Sequence, residues 1–67
     1  MEKTMEVNGR QLNFATTYDG DSQYNVQVRS GEKLITQFKV SADHESDVYE
    51  EALAEVKANI ELGNLKL

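Results

Sequence analysis

The sequence predicts an α+β domain in which a four-stranded antiparallel meander is followed by one C-terminal helix packed on its apolar face, in the order ββββα. Three observations predict it. Asn8-Gly9 separates two segments whose apolar residues alternate, the alternation recurs in two later segments bounded by turn formers, and from Asp47 the period lengthens from two residues to three and four. Residues 1–67 read as a single small domain, with no linker, repeat or low-complexity tract between these segments.

Thr4 to Val7 and Arg10 to Tyr18 flank Asn8-Gly9, a dipeptide suited to a type I′ turn because both central positions need positive φ. A two-residue loop pairs Val7 with Arg10, Met5 with Leu12 and Lys3 with Phe14, so Met5, Val7, Leu12 and Phe14 fall on one side. Asp19-Gly20-Asp21-Ser22 is a cluster of turn formers, read here as the longer loop of a second hairpin. That hairpin sets Tyr18 opposite Tyr24, Thr16 opposite Val26 and Phe14 opposite Val28. Ser30-Gly31-Glu32, taken as a three-residue loop, leads into Lys33 to Val40 and pairs Val28 with Leu34 and Tyr24 with Phe38. Leu34, Thr36, Phe38 and Val40 then face the core, and Tyr18, Tyr24 and Phe38 form a cross-strand aromatic row.

From Asp47 to Leu62, Tyr49, Leu53, Val56 and Ile60 make a helical stripe with Val48 and Ala52 at its edge. Ser46 or Asp43 is placed to cap the first turn, and Gly63 to end the helix in the left-handed conformation. Leu65 and Leu67 follow, positioned to fold back on the end of the sheet.

A chain this short buries only about 60% of the surface it exposes when unfolded, which argues against a deep catalytic cavity. Cysteine is absent, excluding disulfides, thiolate metal sites and cysteine nucleophiles and suggesting a cytoplasmic location. No apolar run has signal-peptide or membrane-span length, so no membrane partner is expected. The net charge of −5, from Asp+Glu 12 against Lys+Arg 7, disfavours direct nucleic-acid binding.

Residues that carry chemistry are sparse. Asp19-Gly20-Asp21-Ser22 resembles the opening of a calcium loop but lacks the third ligand, the following glycine and the distal glutamate. His44 is the single histidine, next to carboxylates that suit a helix start better than proton transfer. Neither a metal nor a cofactor is expected, and the sequence reads as that of a non-enzymatic protein.

Three surfaces remain: the outward side of the sheet, the edge of the fourth strand, whose unpaired backbone is guarded only by Lys33 and Lys39, and the acidic face of the helix. The outward side of the sheet is expected to show Gln11, Asn13, Ala15, Thr17, Asn25, Gln27, Ile35 and Gln37, with Arg29, Lys33 and Lys39 toward one end. Such a flat, amide-rich, charge-poor surface suits another protein or a second copy of the chain in a homodimer, and Gln11, Asn13, Asn25, Gln27, Arg29 and Gln37 are its candidate contact residues. Stacking on nucleic-acid bases needs exposed aromatic rings, which alternation instead directs inward. The alternative surface is the acidic helix face of Glu50, Glu51 and Glu55, which can mimic a nucleic-acid backbone and block a basic protein.

Tyr24 to Leu62, with Glu50-Glu51-Ala52-Leu53 opening its helix, resembles the strand–strand–helix half of HicB-type antitoxin domains. The resemblance implies an antitoxin-like role. The Pro-Asp-Leu-Pro-Gly-like stretch expected after the strand in that family is absent.

Overall fold

A computed structural model describes all residues from Met1 to Leu67. Four antiparallel strands, β1 (Glu2–Val7), β2 (Arg10–Gly20), β3 (Gln23–Ser30) and β4 (Lys33–Ser41), lie in sequence order in one sheet, and α1 (Glu45–Glu61) follows. The predicted ββββα architecture is therefore the one observed.

The first hairpin has the predicted turn and register. Asn8 and Gly9 sit at φ 52° and 83°, and Val7 pairs with Arg10, Met5 with Leu12 and Lys3 with Phe14. The other two hairpins turn more tightly than expected. Gly20 pairs with Gln23, leaving Asp21 and Ser22 as a two-residue turn at φ 53° and 59°. Ser30 pairs with Lys33, leaving Gly31-Glu32 as the third turn, with positive φ at Gly31 alone, as in a II′ turn.

Each of these tight turns is matched by one extra residue in a strand. Between Tyr18↔Tyr24 and Gly20↔Gln23 the extra residue is Asp19, and between Val28↔Thr36 and Arg29↔Leu34 it is Ile35. Without these bulges, two-residue loops would put Tyr24 opposite Asp19 and Val26 opposite Gln37, directing polar side chains into the core. A one-residue insertion reverses the parity and restores apolar to apolar. Phe14 accordingly pairs with Val28 and Thr16 with Val26, as the sequence predicts.

The bulge at Ile35 changes the membership of both faces. Tyr24 lies opposite Val40 and Val28 opposite Thr36, in place of Tyr24 with Phe38 and Val28 with Leu34. Leu34, expected in the core, pairs with Arg29 and is 43% exposed, whereas Ile35, expected outside, is half-buried against the core. The aromatic row shortens to Tyr18 and Tyr24, whose ring centroids are 5.1 Å apart and tilted by 60°.

The core comprises Val7, Leu12, Phe14, Tyr24, Val26, Val28 and Val40 from the sheet and Val48, Tyr49, Ala52 and Val56 from α1. The helix is rotated slightly from the predicted stripe. Ala52 is fully buried, while Leu53 and Ile60 are half-buried at the margin. A methyl group at the point of contact lets helix and sheet come closer than a leucine would permit, and this selects Ala52 over Leu53.

The two helix ends are closed differently. His44 occupies the N-cap in extended conformation, with no side-chain cap, and its carbonyl accepts from the Asp47 N–H at 3.0 Å. The expected caps, Ser46 and Asp43, are not used, because the helix begins at Glu45. At the other end Gly63 has φ 79°, Asn64 N–H reaches Asn59 O at 2.9 Å and Gly63 N–H reaches Ile60 O at 3.1 Å, which is a Schellman closure. Leu65 and Leu67 then pack against the core cluster.

Candidate functional site

With α1 on one side of the sheet, the other side is bare, and the register fixes what it displays. Across the strands run Thr4, Asn13, Arg29 and Leu34; then Glu2, Ala15, Gln27 and Gln37; then Thr17, Asn25 and Lys39. Gln11 lies beside Glu6 at the β1–β2 end. All six candidate contact residues, Gln11, Asn13, Asn25, Gln27, Arg29 and Gln37, are thus brought onto one surface.

These side chains bond to one another across the face. Gln37 Nε2 donates to Asn25 Oδ1 at 3.1 Å, Arg29 Nη2 donates to Gln27 Oε1 at 3.4 Å, and Arg29 Nη1 reaches the Glu32 carbonyl at 3.5 Å. Asn13, Asn25, Gln27 and Arg29 are half-buried although no element covers them, whereas Gln11 and Gln37 are exposed. The molecule's one ion pair belongs here as well, since Lys39 Nζ lies 2.7 Å from Asp19 Oδ2, with β3 between their strands.

Sequence reading misplaced or missed several members. Ile35 and Lys33 leave this face: Ile35 is the bulge residue, and Lys33 pairs with Ser30 at the end of the sheet. Leu34 and Asp19 join it, and both follow from bulges that alternation alone does not signal. Glu2, Thr4 and Glu6 also belong to it, as the first hairpin's register implies once it is continued to the edge strand.

The acidic alternative is exposed too. Glu50, Glu51 and Glu55 are all accessible on α1, and none forms an ion pair. Glu55 Oε1 accepts from Asn59 Nδ2 at 3.2 Å, the same amide that donates to the Glu55 carbonyl at 2.8 Å.

Two open clefts lie where the β1–β2 and β3–β4 turns meet the C-terminal tail. One, of about 530 Å³, is lined by Asn8, Arg10, Ile60, Gly63 and the tail residues Leu65 to Leu67. The other, of about 200 Å³, adds Ser30, Lys33, Leu34 and Ile35. Neither contains a histidine or a carboxylate side chain. His44 is exposed at the helix start, and no group of three or more His, Asp or Glu side chains gathers in metal-binding geometry. No helix is long and apolar enough to cross a membrane.

Two tyrosines, Tyr24 and Tyr49, are buried on the core side. Burial raises the Tyr24 phenol above its ordinary value of 10.0, with Glu45 and Tyr18 adding to the effect, so it remains a neutral packing group. The Tyr49 hydroxyl is buried without a hydrogen-bond partner, while Lys3 Nζ stands 5.5 Å from the centre of its ring. An unpaired hydroxyl of this kind costs about 1–3 kcal/mol, which the cation over the ring offsets by about 0.5–1 kcal/mol.

No family model, curated protein or solved structure matches this chain. The likeness to HicB-type antitoxins therefore rests on the strand–strand–helix order of Tyr24 to Leu62 and on Glu50-Glu51-Ala52-Leu53, with no matching protein behind it. In the structure these residues do what many amphipathic helices do, with Ala52 buried, Leu53 at the margin and the two glutamates in water.

Proposed function

We propose that this is a small, non-enzymatic cytoplasmic protein that acts by binding another protein through the open face of its sheet. The observation that supports it most is the lateral bonding of that face. Side chains already held by Asn25–Gln37, Gln27–Arg29 and Asp19–Lys39 contacts lose little further freedom on binding, which lowers the ordering cost that usually opposes association. The face is largely uncharged at its centre and carries one large exposed apolar side chain, Leu34. The clefts are lined by the basic side chains of Arg10, Lys33 and Lys66 with no histidine or carboxylate side chain beside them to serve as an acid–base partner, which supports a binding role over catalysis.

A second reading, inhibition of a basic protein by the acidic helix, is favoured by the unpaired carboxylates of Glu50, Glu51 and Glu55. One experiment separates the two. Immobilised wild-type protein is used to capture partners from its native cell extract, beside an Asn13→Glu/Gln27→Glu variant and a Glu50→Gln/Glu51→Gln/Glu55→Gln variant. The open-face reading expects capture to be lost only in the first variant. Loss only in the second establishes the acidic reading, and retention in both contradicts each of them.

A further inference from the structure

The two edges of the sheet are not equally protected. β1 is six residues long and carries Glu2, Lys3 and Glu6, with Lys3 on the core side of the strand above Tyr49. Charges on an edge strand, above all one pointing inward, block addition of a further strand. β4 is nine residues long, and from Leu34 to Ser41 its only charge is Lys39. That charge is neutralised by Asp19 and drawn over the open face, away from the outer rim. The C-terminal tail lies beside Lys33 to Ile35, and Thr36 to Ser41 make no backbone hydrogen bond to anything outside the sheet.

We infer that β4 pairs antiparallel with β4 of a second copy of this chain, about a two-fold axis through Phe38, to give a continuous eight-stranded sheet with both helices on one side. The register follows from the regular stretch beyond the Ile35 bulge. A two-fold axis perpendicular to the sheet must pass through a residue facing its own counterpart. Centring on Lys39 would set two ammonium groups opposite each other, and centring on Gln37 would run the pairing into the bulge at Ile35. Centring on Phe38 avoids both. It places Phe38 against Phe38 of the second copy and Thr36 against Val40 on the core side, with Gln37 against Lys39 on the open side. Phe38 is half-buried in the single chain, and an aromatic pair completes its burial.

This inference concerns the β4 edge, whereas the proposed function rests on the open face, and Asn13 and Gln27 lie on the two central strands. The two ideas can therefore fail separately. The test is light scattering on the eluting protein over a concentration series. Wild type is expected to rise from 7.6 kDa toward twice that mass, with a dissociation constant of about 10 μM to 1 mM for so small an interface. Phe38→Lys should weaken association by at least about 100-fold. Asp19→Asn leaves β4 untouched and removes a negative charge from an acidic protein, so a general charge effect would strengthen the dimer. Freeing Lys39 to guard the edge should instead weaken it several-fold. A mass of 7.6 kDa at every concentration overturns the inference, as does a dimer that survives Phe38→Lys or tightens in Asp19→Asn.

Discussion

Phe14→Ala is expected to lower the unfolding free energy by about 3–5 kcal/mol, the largest effect of any single truncation in this chain. Phe14 is the largest of the fully buried side chains, with Lys3 opposite it on β1 and Val28 opposite it on β3. Its ring lies on the second of four strands beneath α1, and the loss combines transfer of the ring with a cavity that neighbouring valines are too short to fill. A domain of this size holds together with roughly 3–10 kcal/mol in all, so the variant should be largely or wholly unfolded at room temperature. Urea denaturation followed by circular dichroism measures this. A loss below about 1 kcal/mol would mean that the ring is not packed between sheet and helix.

Ala52→Leu should cost about 1–3 kcal/mol although it adds apolar surface. Ala52 is fully buried at the contact between helix and sheet, and three extra carbons there must push α1 outward, loosening Val48, Tyr49 and Val56 together. Leu53, one position further on, is half-buried, and truncating it removes contacts at the margin without opening a central cavity. The same denaturation series checks the ordering. An Ala52→Leu protein as stable as wild type would place another helix face on the sheet.

Much of the fold was legible because parity and turn chemistry agree in the first half of the chain. Asn8-Gly9 fixed the first register, and Phe14, Thr16 and Tyr18 found their partners in Val28, Val26 and Tyr24 despite a misjudged loop. That success has a physical cause, since the Asp19 bulge next to the tight turn has the same effect on parity as the longer loop it replaces. At Ser30-Gly31-Glu32 the substitution was not neutral. A II′ turn with a bulge at Ile35 shifted β4 by two residues against β3, exchanging Leu34 for Ile35 in the core and Phe38 for Val40 beside Tyr24. Alternation cannot distinguish a three-residue loop from a two-residue turn with a bulge, because Leu34 and Ile35 are equally apolar. The helix stripe was misjudged by a fraction of a turn for a related reason. Hydrophobicity favours Leu53 as its centre, whereas close packing favours the smaller Ala52.

The six open-face residues were placed correctly on that side because none of them is itself a bulge residue, although Arg29 lies next to the irregularity that β4 makes at Ile35. What periodicity left unsaid was how they bind one another, and above all that Asp19 reaches Lys39 across the intervening strand. That contact depends on the bulge, which adds a residue to β2 before its turn.

The register of β4 decides which side chains the open face presents and which line the exposed edge, and cross-strand nuclear Overhauser contacts read it directly. The structure requires contacts between Tyr24 and Val40 and between Val26 and Phe38, with Leu34 opposite Arg29. Contacts pairing Tyr24 with Phe38 and Val28 with Leu34 would show instead an unbulged strand, with Ile35 outside and Leu34 in the core, and would contradict both the open surface and the Phe38-centred dimer.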